Sequence, residues 1–568
     1  MIDLLTAFGS THFVPGVDAR TREPVAVPLA HFEKGLSAAV PTGGGKTDTM
    51  AELLRSQSLG PRPWLYCDYA GTGFDAAARF DAVVATVLRF GIEEAFPDLP
   101  ETENLADRFS LRHAYVTVGE DDPPIRINLL RRLRDRDGRR ETPQRVAGRF
   151  ADVWATQYED VAIRVRFTKF ATVVAGLLAA ADRPLPEYAR IFESEEYRQF
   201  LRREHERLAT MDDPFVRLQW EILDTQFLNL RKQPGDGVST RQFEEISSLH
   251  NSLSALRAGP MATFFGGNEN FSLEDVVYGG KRLYVSVRAL ANREHRKFVL
   301  RALFAAVEGL VVRIPHDDPA AVGFLIFDEL GQLSEMHMDA FAQLRNHRFS
   351  PVILRQTYEA QLVLLGFPAA AAAVIEQCTR YHIFGRVESE ALARKVASAG
   401  PPIDYEEVVL RMLTHTHGWS EADAWSAGRA WTETFDGDVR ANAGTSGTIT
   451  MSGSTTEQRM RVPIDEVLLH RTLETLHLPN YHLVHIYDGM SRTVRHYQAR
   501  QLPRQLFGRD YVAAYLGRNR RLHDRHAAPF VPFDPTIRVV TAAASDTTPP
   551  GAPEPYQPVR RARGGTSA

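Results

Sequence analysis

The chain has 568 residues, 44% of them hydrophobic and 24% charged, with a formal net charge of −4 and a pI near 6.6. That length accommodates about two to four domains with sizeable cores, and the composition is that of ordinary globular protein rather than a disordered or fibrous chain. The charge excludes a polycation, so any nucleic-acid surface must be local or made by assembly.

Two cysteines, Cys67 and Cys378, stand far apart. They exclude a disulfide framework and point to a reducing cytoplasm. The opening residues, MIDLLTAFGSTHF, carry no basic segment and no long apolar run, so no signal peptide is expected there. No stretch reaches the roughly 18 apolar residues of a membrane-spanning helix, and the chain is expected not to span a membrane by itself.

Residues 1–34 carry turn and strand signals and lead into Gly35–Ala51, where an apolar run ends at Val40. A glycine turn, Lys46, Thr47 and a helix-forming segment follow. This is the strand–loop–helix of a phosphate-binding loop. Gly43, Gly44 and Gly45 have no Cβ, so their N–H groups can turn inward around a phosphate. The next helix offers its positive end to the same group. Thr42, Gly43, Gly44, Gly45, Lys46, Thr47 and Asp48 are the expected cradle. Lys46 is assigned to the β and γ phosphates and Thr47 to Mg²⁺. The strict pattern has a glycine five places before Gly45; here that place is Val40.

Further along, Trp64–Asp68 reads as a buried parallel strand ending in a carboxylate. Asp68 has two readings of equal weight: a group that orients a nucleotide or a neighbouring loop, and a cap for the Gly71–Gly73 turn. Residues 113–118 form another expected strand. From about 135 to 252 the texture becomes helical and rich in Arg and Glu, with candidate helices at 142–160, 161–182, 186–210, 213–232 and 239–258. Arg202, Arg203, Arg207, Arg217, Arg231, Lys232 and Arg241 are candidates to line a DNA path; a solvated helix surface paired with acids is the favoured alternative for each.

Strand texture returns at 281–287, followed by an amphipathic helix at about 292–313. Ala321–Glu329 is an apolar strand tipped by Asp328 and Glu329, the Walker B arrangement. Asp328 is assigned to the Mg²⁺ shell and Glu329 to the attacking water. A strand over 351–356 ends at Gln356, a candidate sensor of the γ-phosphate. A strand at 379–385 and a helix at 389–399 continue the alternation, which argues for a mostly parallel sheet with helices on both faces. Residues 404–435 read as tryptophan-rich helix, 444–456 as a flexible loop, and 483–487 as a late strand. The tail from 541, with Arg560, Arg561 and Arg563, reads as disordered.

Seven segments in this order resemble the conjugative coupling ATPases of type IV secretion, the TraG/TraD group. They are the phosphate loop, Tyr66–Gly73, Ile127–Leu130, Phe271–Val287, Phe327–Leu333, Arg355–Leu362, and Glu376–Arg386 with Ala391–Gly400. Ile127–Leu130 lacks the proline usual in that family. The resemblance implies an α/β fold: a RecA-like P-loop NTPase sheet interrupted by an all-α domain. The expected divisions are 1–134 and 253–540 for the two parts of the nucleotide-binding domain, 135–252 for the all-α domain and 541–568 for the tail. It implies ATP and Mg²⁺ as cofactors, hexamers, and ATP-driven movement of DNA. Arg345 falls where the family has an arginine reaching the neighbouring subunit's γ-phosphate, with Arg348 as its competitor.

Implied partners are DNA, a relaxase and membrane channel components, with a cytoplasmic location peripheral to the inner membrane through a partner. The usual membrane anchor of that family has no counterpart in the sequence. Two other functions fit the same motifs: a HerA/FtsK-like DNA pump in defence, phage or chromosome handling, and an ATP-switched recruitment platform that moves nothing.

Overall fold

The computed structural model describes residues 12–19, 21–41, 43–89, 105–121, 123–155, 161–228, 256–266, 269–314, 323–328, 344, 347, 349–355, 378–387, 390–398, 464–487, 493–499 and 509–525. All of them belong to one unit, Met1–Val531.

The strands are β1 (His12–Phe13), β2 (Gly16–Asp18), β3 (Val27–Pro28), β4 (Leu36–Ala39), β5 (Trp64–Asp68), β6 (His113–Thr117), β7 (Arg282–Ser286), β8 (Gly323–Asp328), β9 (Phe349–Arg355), β10 (Tyr381–Phe384), β11 (His482–Tyr487) and β12 (Thr493–Ala499). A ten-stranded sheet takes the order β2-β12-β11-β10-β4-β9-β8-β5-β7-β6. From β10 to β6 every neighbouring pair is parallel. β11, β12 and β2 add an antiparallel edge beyond β10. Every residue of β4, β5, β6, β7, β8 and β9 is buried, as in parallel strands covered on both faces.

The helices used below are α1 (Lys46–Gln57), α2 (Thr72–Thr86), α3 (Leu105–Arg112), α4 (Pro143–Ala155), α5 (Val161–Ala180), α6 (Tyr188–Glu193), α7 (Glu195–Arg207), α8 (Pro214–Ile222), α9 (Arg293–Val311), α10 (Glu390–Ser398), α11 (Ile464–Leu476) and α12 (Arg509–Arg525). One face of the sheet packs Leu36, Ala38, Val40 and Ile326 against Met50 and Leu53 of α1, Phe74 and Ala78 of α2, and Tyr515 of α12. The opposite face sets Ala39, Phe384 and Ile486 against Ala393 and Val396 of α10. There too Phe327 meets Phe304 of α9, ring centroids 5.2 Å apart. Helices thus cover both faces of the mostly parallel sheet, the α/β arrangement expected from the alternation of strands and helices.

Between β6 and β7 all regular elements from α4 onward are helical among the described residues. One stretch expected as a single helix, 186–210, is broken. Ser194 has extended backbone and its hydroxyl accepts from the Tyr197 N–H, starting α7 afresh after α6; Ser followed by two glutamates is a strong N-cap signal. α8 continues as a π-turn through Leu223–Leu228. This helical layer leans on the sheet domain. Trp154 of α4 meets Phe298 of α9 edge-on at 5.0 Å, and Asp182 pairs with Arg132 at 3.5 Å. Helices α2, α3, α11 and α12 and strand β12 had no counterpart in the sequence reading, and β2 falls within residues 1–34, expected only to carry turn and strand signals. Expected elements at 404–435 and 444–456, most of 239–258, and the tail lie outside the described residues.

Candidate functional site

Parallel register aligns the carboxyl ends of the central strands. Ala39 stands beside Arg355, Leu354 beside Asp328, Asp328 beside Asp68, and Asp68 beside Ser286. In such sheets ligands bind in the crevice outside these ends. The strand order puts β9 between β4, which leads into the glycine loop, and β8, which carries Asp328.

The loop leaves β4 at Val40, whose N–H donates to the Arg355 carbonyl at 3.0 Å, and turns where the Gly44 N–H donates to the Pro41 carbonyl at 2.9 Å. Gly43 and Gly45 have φ of +80° and +98°, the left-handed region where a side chain is strained. A Cβ on Gly44 would lie 2.7 Å from Val40 Cγ1. Gly45 is the N-cap of α1 and supplies no side-chain acceptor to its first N–H groups. Those donors therefore open onto the crevice with the positive end of the helix behind them.

Lys46 is the first residue of α1. Its Nζ donates to Asp328 Oδ1 at 2.7 Å, across 282 positions of sequence. The lysine side chain is 12% exposed and the aspartate 4%, so each charge needs the other for compensation. Thr47 is half-buried beside it and Asp48 is buried in the first turn of α1.

Asp68 resolves in favour of the cap. Its Oδ1 accepts from the Gly71 N–H at 2.6 Å and its Oδ2 from the Phe74 N–H at 2.8 Å, closing the start of α2. Burial, then the neighbouring Asp328 carboxylate, pushes Asp68 up to about 6 against the pull of those N–H groups.

The far end of α1 is fixed by a buried network. Arg282 Nη2 donates to the carbonyls of Gln57 at 2.5 Å and Gly60 at 2.7 Å, its Nη1 to Ser58, and its guanidinium lies 3.8 Å from the Trp64 ring centre. A cation at these C-terminal carbonyls complements the helix dipole. Arg282 also donates to His113 Nε2 at 2.9 Å, and His113 Nδ1 bonds Asp81. Burial pushes His113 down to about 4 against the pull of Asp81. Neutral His113 thus accepts from Arg282 and donates to Asp81.

The structure brings Gly43, Gly44, Gly45, Lys46, Thr47, Asp48 and Asp328 to one crevice. Thr42, Glu329, Gln356, Arg345 and Arg348 lie outside the described residues. The candidate DNA-path arginines fare otherwise: Arg202 pairs with Asp224 at 2.8 Å and Arg207 with Glu204 at 2.7 Å, and the Arg203 side chain donates to the Gln199 carbonyl. Arg217 is exposed; Arg231, Lys232 and Arg241 lie outside the described residues. Sequence reasoning passed over Arg355, buried at the tip of β9, whose Nη2 donates to Ser37 Oγ at 2.9 Å. Its only signal was its place immediately before Gln356.

These residues fit a magnesium–polyphosphate group. Glycines leave room for backbone donors, α1 has an uncapped N-terminus, and a lysine, a hydroxyl and a carboxylate stand at its mouth. Oxygen donors of this kind suit a hard cation that keeps phosphate and water as its other ligands. Among the described residues no helix is long and apolar enough to cross a membrane.

Fold and site together define a mostly parallel α/β sheet whose glycine loop and acid-tipped strand meet at one carboxyl edge. No protein-family model matches the chain, and no curated protein matches it. Among solved structures it is similar to the bacterial conjugative coupling protein TrwBdeltaN70, with 14% identity, a TM-score of 0.44, and coverage of 84% of this chain and 87% of that one. Similarity to TrwB in complex with ADP and Mg²⁺ has 14% identity, a TM-score of 0.43 and coverage of 87% and 95%. VirB4 of Thermoanaerobacter pseudethanolicus aligns at 12% identity, a TM-score of 0.36 and coverage of 87% and 97%.

Proposed function

We propose that the protein is an ATP-hydrolysing motor that works as a ring, a hexamer, and moves DNA in the manner of the conjugative coupling ATPases. The observation that carries the nucleotide part is the 2.7 Å contact between Lys46 and Asp328 at the carboxyl edge of one sheet. The ordered motifs from Tyr66–Gly73 to Glu376–Arg386 support the DNA-moving part.

In this reading the N–H groups of residues 42–47 and the Lys46 ammonium bind the β and γ phosphates. Thr47 and Asp328 hold Mg²⁺, which supplies charge neutralisation at the phosphoryl oxygens. Glu329 orients the attacking water, Gln356 reads the γ-phosphate, and Arg345 reaches the site of the next subunit. Release of Lys46 from Asp328 frees both groups for these tasks.

Purified protein should hydrolyse ATP, faster with DNA, and Lys46→Ala and Glu329→Gln should lower turnover at least about a hundredfold. Undiminished DNA-stimulated hydrolysis in either variant sinks the assignment. Slow hydrolysis indifferent to DNA points instead to the recruitment platform, and DNA-stimulated turnover in a cell without conjugation genes to the HerA/FtsK-like pump.

A further inference from the structure

The crevice has a second side. Asp328 lies on β8, two strands from β4 in one direction; β10 adjoins β4 in the other. The Gly385 N–H, just past β10, donates to the Ala39 carbonyl at 3.0 Å. A Cβ on Gly385 would lie 2.9 Å from Pro41 Cδ and 3.0 Å from Val40 Cγ1. The end of β10 is therefore pressed against the start of the glycine loop. The next residue is Arg386. It is exposed, between buried Gly385 and buried Val387, so its backbone is fixed on both sides while its side chain faces solvent. Among the described residues no hydrogen bond or ion pair to it is found, whereas Lys46 is already neutralised by Asp328.

The direction of a bound nucleotide follows from the metal's place. A metal held by Asp328 would neutralise charge on the β and γ phosphates, and Asp328 stands at the carboxyl end of β8. The γ end of the chain then points toward β9 and β8, and the α-phosphate and nucleoside toward β10. We infer that Arg386 is a nucleotide-binding residue acting in the same subunit, its guanidinium meeting the α-phosphate end of the nucleoside di- or triphosphate. An arginine suits this task because its planar fork pairs with phosphate oxygens at two points. The inference rests on the nucleotide reading above and assigns that site its second cation.

Because ADP and ATP share the α-phosphate end, both should lose affinity together. In Arg386→Ala the Kd of ADP and of a non-hydrolysable ATP analogue should each rise about tenfold or more. The two factors should agree within about threefold. Arg386→Lys should recover part of the loss, and Tm should be unchanged since the side chain is exposed. Unchanged Kd values in a stable Arg386→Ala protein overturn the inference while leaving the nucleotide site standing. Loss of the ATP analogue alone also overturns it, since that marks a γ-phosphate contact. A wild-type protein that binds neither nucleotide removes both readings at once.

Discussion

At the scale of single residues the site depends on charges that answer one another. Lys46 and Asp328 are each largely buried, and the lone survivor of either deletion is an uncompensated ion. The network behind α1 is of the same nature. Asp81 gathers His113, Tyr115 and Ser58, and His113 passes the connection to Arg282. Burial alone would raise the Asp81 carboxyl, but His113, Tyr115 and Arg282 hold it below its usual range. His113 in the fold sits at about 4, below its ordinary 6.5. Between these values the unfolded chain binds the extra proton and the folded one does not. Stability from this group is therefore full above pH 6.5 and is lost as pH falls toward 4, by up to about 3 kcal/mol. Thermal unfolding of His113→Gln should start from a lower Tm at pH 7.5 and fall less than the wild type between pH 6.5 and 4.5. Parallel Tm profiles for the two proteins would show that His113 does not titrate in this way.

At the scale of elements, the proposed function gives the two ends of α1 separate tasks: phosphate at the glycine end, with Arg282 bound at the other. Gly45→Ala places a side chain at φ +98°, a strain of roughly 1–2 kcal/mol confined to the mouth of the crevice. Nucleotide affinity should drop about tenfold or more while Tm shifts by only a few degrees; a Gly45→Ala protein with full affinity would contradict the role given to this turn.

The elements that carry the site were those most legible in the sequence. Trp64–Asp68 and Gly323–Asp328 are buried on both faces and end in carboxylates, so an apolar run with an acidic tip marks them. The β11–β12–β2 edge was mostly invisible: β12 is Thr-Val-Arg-His-Tyr-Gln-Ala and β2 has three residues, too mixed or too short to stand out. Asp68 could not be decided from sequence because a cap and a ligand both want a carboxylate after a strand. Ser194 with Glu195 and Glu196 could have been read as a helix start, but helix-forming residues on both sides of it mask the break.

At the scale of the molecule, the net charge of −4 requires any DNA grip to be concentrated. Several arginines of the helical layer are already neutralised, Arg202 by Asp224 and Arg207 by Glu204, so that layer does not present a free basic face through them. The layer is tied to the sheet domain by Trp154 of α4 against Phe298 of α9 and by Asp182 with Arg132. α9 packs behind Phe327 of β8 and against Trp154 of α4, so one helix touches both the acid-tipped strand and the helical layer.

One pocket built from two distant segments carries the proposed function. Equilibrium binding of a fluorescent ATP analogue, with and without Mg²⁺, in wild type and Asp328→Asn tests it most directly. Wild-type affinity should rise with Mg²⁺ and Asp328→Asn should lose that dependence while still binding the metal-free nucleotide through Lys46. An Asp328→Asn protein whose Mg²⁺ dependence matches the wild type would contradict the account.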